Sequence, residues 1–438
     1  MTGRRLSSLL AYVTTAATGA SLLTGCGVLP GATGGSREPV TVMTWAPDQT
    51  RATNMPGMPA MAQAYARWVN ANGGIDGHEL RVLTCNEQNT NAGAAACARR
   101  AVQEGAVAVV GSYSQYGRAF MAPLEAAGIP YIGGYGISED EFTSSLSYPV
   151  NGGQASLIAG HGMQLAANCR KVSLVRPDTI AGDKLPDLLN SGLRKASHSG
   201  AVDIPAVEDA AEYTASASKA RTKAGAEDGC VTAVLGERTQ TFFDSFRRLP
   251  GEQNDSGGES GGTSDAKSGD GEDDGGTVRI SSVLGSVGQP LIDRSGGAHS
   301  PFEGAFVTGW YPDADNKAWE PMKQVIKEHA FVDNRVDPAD AGVQTTWIAY
   351  TVLKQVIESL DSDSISSLRI SHALDQGTKI DTGGLTPPLR WRYDDLLGAR
   401  DFPRIVNHDV TFQVVRQGKL VAQKPGFVDV GETVLTAP

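Results

Sequence analysis

Short apolar runs alternate with amphipathic helical segments along most of this chain. In its first part the apolar runs occupy residues 40–45, 80–84, 106–110 and 129–132, and polar-faced segments of helical periodicity separate them. Alternating strands and helices favour parallel sheets, because each helix returns the chain across the sheet before the next strand begins. The sequence therefore predicts an α/β fold built from doubly wound parallel sheets.

A second series of the same kind follows a Pro- and Gly-containing break at residues 148–153. We therefore predict two doubly wound lobes joined by crossover hinges. Lobe 1 is assigned residues 39–148 with 306–386 returning to it, and lobe 2 is assigned residues 149–305 with 387–438 returning to it. The returning segments contain three predicted strands, at 306–310 in lobe 1 and at about 389–393 and 410–415 in lobe 2.

The amino terminus has the order of an export signal. Arg4 and Arg5 precede a weakly polar stretch that ends in Leu-Thr-Gly-Cys at Cys26, which resembles a bacterial lipobox. We predict a signal peptide at residues 1–25, a lipidated Cys26 and a flexible tether at 26–38. This places the protein on the extracytoplasmic face of the cell membrane. The alternative is that Cys26 lies in a poorly matched transmembrane helix.

Four cysteines remain if Cys26 carries lipid, and they allow three pairings on paper. Cys169 and Cys230 each stand just before an apolar strand, and neighbouring strands lie at a distance that a disulfide can bridge. Cys85 ends a predicted strand and Cys97 lies in the next helix. We predict the disulfides Cys85–Cys97 and Cys169–Cys230. Metal binding is the alternative, but Cys-x-x-Cys and His at ligand spacing are missing.

Residues 251–276 differ from the rest of the chain. They contain nine Gly, eight Asp or Glu and one Lys, so they cannot bury enough apolar surface to become ordered. We predict a disordered acidic insertion in lobe 2, with calcium binding or partner docking as the alternative. The formal net charge of the chain is -11, which argues against a nucleic-acid partner.

Three segments of the sequence resemble a known family. They are Trp-Val-Asn-Ala-Asn-Gly-Gly-Ile-Asp-Gly-His at residues 68–78, Val-Val-Gly-Ser-Tyr-Ser at 109–114 and Ala-Gly-Ile-Pro-Tyr-Ile at 127–132. Together they resemble the type I periplasmic binding proteins, in particular the branched-chain amino acid group of ABC importers. The resemblance covers about residues 39–250 and 277–420. It implies that a ligand lies between the lobes, at the carboxyl ends of the strands.

Carried onto this sequence, the resemblance implies ligand contacts from two walls. The lobe 1 wall consists of Ser112, Tyr113, Ser114, Gln115, Gly134, Tyr135, Gly136 and Ser138, and the lobe 2 wall of Asp178, Glu237, Arg238 and Ser286. The second wall departs from the amino-acid binders, because only Glu237 could hold an ammonium group and Arg238 favours an anion. The ligand is therefore expected to be a small polar solute, an amino acid or a related compound.

The expected function is solute capture and delivery to an ABC transporter permease, by a monomer without metal or cofactor. The alternative is a sensing lipoprotein that reports to a membrane kinase or receptor. Catalysis is not expected, because the chain lacks the Gly-x-Ser-x-Gly, His-Glu-x-x-His, Gly-x-Gly-x-x-Gly and P-loop motifs of hydrolases, zinc enzymes and nucleotide sites.

Overall fold

A computed structural model describes residues 37–50, 53–179, 182–207, 209–225, 227–250 and 278–437. The predicted signal peptide, Cys26, most of the tether and the insertion at 251–276 lie outside the described residues. Within the described ranges, no helix has the length and apolar character needed to cross a membrane.

The strands are β1 (Arg37–Ala46), β2 (His78–Asn86), β3 (Ala108–Val110), β4 (Tyr131–Ile132), β5 (Ser147–Tyr148), β6 (Lys171–Pro177), β7 (Val202–Ala206), β8 (Gly229–Ala233), β9 (Arg279–Val283), β10 (Phe306–Gly309), β11 (Asp409–Arg416), β12 (Lys419–Ala422) and β13 (Val428–Asp429). The helices are α1 (Gly57–Ala71), α2 (Asn91–Gln103), α3 (Gly117–Ala127), α4 (Asp140–Thr143), α5 (Gly153–Ala166), α6 (Leu185–Lys195), α7 (Thr214–Ala224), α8 (Thr239–Arg247), α9 (Gln289–Arg294), α10 (Glu320–His329), α11 (Ala341–Ser359), α12 (Ser367–Asp375) and α13 (Gly431–Leu435).

Capping residues explain where several helices begin and end. The Thr90 side chain accepts a hydrogen bond from the Gly93 N–H ahead of α2, and Asp340 accepts one from the Val343 N–H ahead of α11. These side chains satisfy amide groups that have no partner in the first helical turn. Helix α3 ends at Gly128, whose φ of 66° is left-handed and therefore favours glycine.

Five strands form an amino-terminal sheet in the order β2-β1-β3-β4-β5, and all of its pairings are parallel. Helices α1, α10 and α11 pack on one side of it and α2 and α3 on the other. The central strand β3 is buried along its whole length, as expected for a parallel sheet covered on both faces. Helices α10 and α11 reach this sheet although they follow β10 in the chain.

The carboxy-terminal sheet has the order β12-β11-β10-β9-β8-β6-β7, and β13 pairs with β11. Its strands β6 to β10 are parallel, whereas β11 and β12 add an antiparallel edge. Helices α5 and α6 contribute to the core on one side, and α7, α8 and α9 to that on the other. The predicted α/β class with two doubly wound parallel sheets is therefore correct.

Of the three strands predicted in the returning segments, the one at 410–415 is confirmed as β11 of the carboxy-terminal sheet, and the other two predictions are wrong. The strand predicted at 306–310 for lobe 1 is β10, which pairs with β9 and β11 in the carboxy-terminal sheet. Its apolar sequence suits either sheet, and only its pairing partners decide which one it joins. The strand predicted at 389–393 does not form, because Leu389 makes only an isolated bridge with Ile380 and Trp391 donates instead to the carbonyl of Pro149. The other lobe boundaries remain predictions.

Both predicted disulfides are confirmed. Cys85 and Cys97 have Cα atoms 5.8 Å apart, and those of Cys169 and Cys230 are 5.7 Å apart. Cys230 lies opposite Val172 in the pairing of β6 with β8, and Cys169 stands just before β6. The second bridge therefore joins neighbouring strands at one edge of the sheet, as the sequence suggested.

Candidate ligand-binding cleft

The loop after β3 is held by two buried serine side chains. The Ser112 hydroxyl accepts a hydrogen bond from the Trp45 N–H at 3.0 Å. The Ser114 hydroxyl donates to a Glu87 carboxylate oxygen at 3.0 Å and accepts from the Tyr116 N–H at 3.1 Å. Ser112 and Ser114 are both 0% exposed, so their hydroxyls brace the loop from inside instead of facing an opening.

Glu87 is buried at the end of β2, and its burial raises the pKa of the carboxyl group from 4.5 to about 7. The hydrogen bond from Ser114 opposes this shift because it favours the charged form. Between pH about 4.5 and about 7, the Glu87 carboxyl group therefore keeps its proton in the folded protein but loses it in the unfolded chain.

This proton makes the stability of the fold depend on pH. Because the folded state binds more protons than the unfolded state between pH about 4.5 and about 7, we expect the free energy of unfolding to fall as the pH rises through that range. Glu87→Gln should make this fall shallower in urea unfolding curves, whereas the exposed Glu79→Gln should keep the wild-type dependence. An unchanged slope in Glu87→Gln would contradict the assignment.

The loop after β4 is shaped by a second buried carboxylate, that of Glu141 in α4. It accepts hydrogen bonds from the backbone N–H groups of Gly136, Ile137 and Ser138 at 3.0, 3.1 and 3.0 Å. Burial raises the pKa of Glu141 to about 7. A Cβ at Gly134 would lie 2.0 Å from a carboxylate oxygen of Glu141, so this position has room only for glycine. Hydrogen bonds to this one carboxylate therefore hold the backbone of residues 136–138 in place.

A cavity of about 230 Å³ lies between this loop and helix α6 of the carboxy-terminal sheet. Its wall combines polar, charged and apolar side chains from several segments of the chain. The lining residues are Gln115, Gly136, Ile137, Ser138, Glu139, Asp140, Phe142, Gln154, Lys184, Leu185, Leu188 and Phe402. The cavity therefore receives residues from both sheets' loops, as a ligand crevice between two α/β units does.

Ion pairs connect the two sides of this cavity. The Lys184 ammonium group lies 2.6 Å from a carboxylate oxygen of Glu139 and 3.4 Å from one of Asp401. Glu139 belongs to the loop after β4, whereas Lys184 immediately precedes α6. The hydrogen bond with Glu139 raises the pKa of Lys184, so this side chain stays positively charged.

A row of aromatic rings joins the two sheets beside the cavity. Tyr135 packs against Tyr113 and against Trp310, with ring centroids 5.2 Å apart in each case. Trp310 follows β10, and its indole N–H donates to the Gly153 carbonyl at 3.0 Å. The Tyr135 hydroxyl is buried and has no hydrogen-bond partner in the described part of the chain. A Cβ at Gly285 would lie 2.9 Å from it, so it reaches the loop after β9.

The unpaired hydroxyl predicts an unusual response to mutation. Burying a hydroxyl without a partner costs free energy, so Tyr135→Phe should raise the free energy of unfolding by about 1 kcal/mol. Tyr350→Phe is the matched control, since that buried hydroxyl shares a 2.7 Å hydrogen bond with Thr44 and its loss should destabilise the protein. Urea unfolding of both variants tests this. Equal destabilisation by the two changes would contradict it.

The structure does not bring all of the predicted site residues to one place. Gln115, Gly136 and Ser138 line the cavity, with Gly134 directly behind their loop, and Tyr113, Tyr135 and Ser286 are buried in or near the aromatic row. Ser112 and Ser114 are buried outside the lining. Asp178 and Arg238 are exposed and do not line the cavity, and the Glu237 side chain lies outside the described residues. A role for these twelve residues in ligand binding remains a prediction.

Several lining residues were not predicted. Lys184 and Gln154 stand at the beginnings of α6 and α5, where polar residues are common for local reasons, so their types carried no signal. Phe402 is remote in sequence and reaches the cavity only through tertiary folding. One sequence feature pointed to Glu141, since it is an acidic residue shortly after the Gly-rich end of a strand. That feature does not predict that the side chain is buried.

Comparisons with known proteins agree on one fold. The sequence profile described as "Periplasmic binding protein" matches residues 50–402. A branched chain amino acid ABC transporter protein from Thermus thermophilus with bound valine is 14% identical, with a TM-score of 0.66 over 90% of this chain and 97% of that chain. No curated protein sequence is significantly similar to this chain.

Two further solved structures have other ligands in their descriptions. The solute binding protein of an ABC transporter from R. palustris, in complex with 4-hydroxybenzoate, is 12% identical, with a TM-score of 0.65 over 89% of this chain and 97% of that chain. A fatty acid ABC transporter substrate-binding protein from Thermomonospora curvata is 12% identical, with a TM-score of 0.66 over 92% of this chain and 95% of that chain. At such identities the similarity establishes a shared fold.

Proposed function

The chain belongs to the periplasmic binding protein family, and we propose that it captures a small solute between its two sheets and delivers it to an ABC importer. The type I resemblance read from residues 68–78 is confirmed at the level of family and fold. The observation that carries the proposal is the cavity between the loop after β4 and α6, because a ligand held there contacts both halves of the molecule at once.

The proposed role is binding without catalysis. A binding protein of this kind needs a crevice whose two walls close on the solute, and the cavity and the Lys184–Glu139 ion pair supply contacts from both walls. Of the similar structures, one has bound valine, one is in complex with 4-hydroxybenzoate, and one is the substrate-binding protein of a fatty acid transporter. The candidates to be tested therefore include amino acids, related polar compounds and small carboxylates.

A thermal-shift screen of the purified protein tests solute capture. Amino acids, amides, carboxylates and amines are added singly, and a ligand that binds only the folded state raises the melting temperature with its concentration. Gln115→Trp is the matched control, because this exposed residue lines the cavity and a larger ring there should block it while leaving the core intact. A complete absence of shifts in the wild-type protein would count against solute binding.

We also propose that lipid on Cys26 anchors the protein at the extracytoplasmic face of the membrane. The support is the Leu-Thr-Gly-Cys sequence, since the thiol of that cysteine is the group that receives the lipid. Labelled palmitate should enter the wild-type protein and not the Cys26→Ala variant. Equal labelling of the two would overturn the anchor without affecting solute capture.

A further inference from the structure

We propose that the cavity selects a small protonated amine with an apolar body, in preference to a carboxylate. This inference rests on the proposed solute-binding function and specifies its ligand class. It follows from two properties of the wall: the balance of its charges, and the position of its apolar side chains.

The positive charge of the wall is already neutralised. Lys184 is the only Lys, Arg or His among the described lining residues, and it is held between the carboxylates of Glu139 and Asp401. A carboxylate ligand would have to displace one of these partners before it could use the ammonium group. These side chains are partly exposed, where one ion pair contributes little more than another, so exchanging partners would give the carboxylate ligand little net attraction.

A second carboxylate besides that of Glu139 lines the cavity, that of Asp140. Within the described part of the chain it forms no salt bridge, so its charge has no cationic partner. Among the lining residues, the carboxylates of Glu139 and Asp140 outnumber the single ammonium group of Lys184, and Asp401 adds a further carboxylate beside that ammonium group, so the site is negatively charged. A site of this charge attracts a cation and repels an anion.

The remaining wall is apolar and partly aromatic. Phe142 and Phe402 meet edge to face, with ring centroids 5.9 Å apart, and Leu185 and Leu188 lie on the α6 side. Aromatic faces attract ammonium groups, and the aliphatic side chains favour a hydrocarbon body. The cavity volume of about 230 Å³ is below the range usual for drug-sized ligands, so the amine is small.

Matched pairs of probes that share a hydrocarbon body and carry opposite charges test the inference. We would measure the affinities of 2-phenylethylamine and 3-phenylpropionate, and of cyclohexylmethylamine and cyclohexylacetate, by calorimetry. The wild-type protein should bind the amines and not the carboxylates. Asp140→Asn should weaken amine binding about tenfold or more, because the cation loses its unshared carboxylate. Lys184→Met should strengthen it, because a competing positive charge is removed.

Glu79→Gln, on the exposed face of β2, should leave every affinity unchanged, and melting curves verify that each variant is folded. Tighter binding of the carboxylates, with loss of that binding in Lys184→Met, would overturn the inference. So would a wild-type protein that binds neither amine while the wider screen finds a neutral or anionic ligand. In both cases solute capture would stand, whereas a protein without any ligand in that screen would refute solute capture itself.

Discussion

Replacement of Glu141 by Ala is expected to lower the free energy of unfolding by about 3 kcal/mol or more. The change leaves the N–H groups of Gly136, Ile137 and Ser138 buried without their acceptor. Each unsatisfied buried amide costs about 1–3 kcal/mol. Since the same residues line the cavity, affinity for any ligand found there should fall as well.

Two further variants separate the role of the carboxylate from that of side-chain volume. Glu141→Gln should be intermediate, because its oxygen can still accept from Ile137 and Ser138 while its NH2 group faces the Gly136 N–H, another donor. The exposed Glu79→Ala should change stability by no more than about 0.5 kcal/mol. Urea unfolding measures all three. A Glu141→Ala variant as stable as Glu79→Ala would show that the loop keeps its course without the carboxylate.

Removal of the Cys169–Cys230 disulfide by Cys169→Ala and Cys230→Ala is expected to cost about 4 kcal/mol. The bridge spans a sequence separation of 61 residues, and in the chain-entropy model a longer loop constrains the unfolded state more strongly. Alanine is used because both cysteines are buried and a serine hydroxyl would add an unpaired polar group.

The other disulfide supplies the comparison for this prediction. Cys85 and Cys97 are separated by only 12 residues, so their replacement by alanine should cost about 3 kcal/mol. Unfolding in urea, with the wild-type protein under reducing and non-reducing conditions as a reference, gives the two values. A larger loss for the shorter loop would show that strain or local packing outweighs the entropy of the unfolded chain.

The opposite wall implied by the resemblance does not coincide with the lining of the cavity, and its role in ligand binding remains a prediction. The resemblance pointed to strand ends in lobe 2, but Asp178 and Arg238 are exposed and lie outside the lining, while Lys184 and Leu185 at the start of α6 reach it. The two serines after β3, Ser112 and Ser114, also lie outside the cavity lining. Their position in the chain suggested a ligand contact. In the structure the Ser112 hydroxyl accepts a hydrogen bond from the Trp45 N–H, and the Ser114 hydroxyl donates one to Glu87.

What the sequence determined by itself is local in origin. Apolar runs of strand length, separated by helical periodicity, were enough to predict the parallel α/β class. The cysteines beside the strands at 172–175 and 231–235 were enough to predict their pairing, because neighbouring parallel strands begin at the same sheet edge. In each case the information lies within a few residues of the element that it specifies.

What only the tertiary structure decided depends on contacts between distant residues. Strand β10 joins the carboxy-terminal sheet although its apolar sequence suits either sheet, because β9 and β11 provide its hydrogen-bond partners. Phe402 and Lys184 both line the cavity although they are more than two hundred residues apart in the sequence. Glu141 is buried by residues outside its own segment. The burial of a side chain and the pairing of a strand depend on the whole folded chain. Local sequence preference does not indicate which distant segment will provide these contacts.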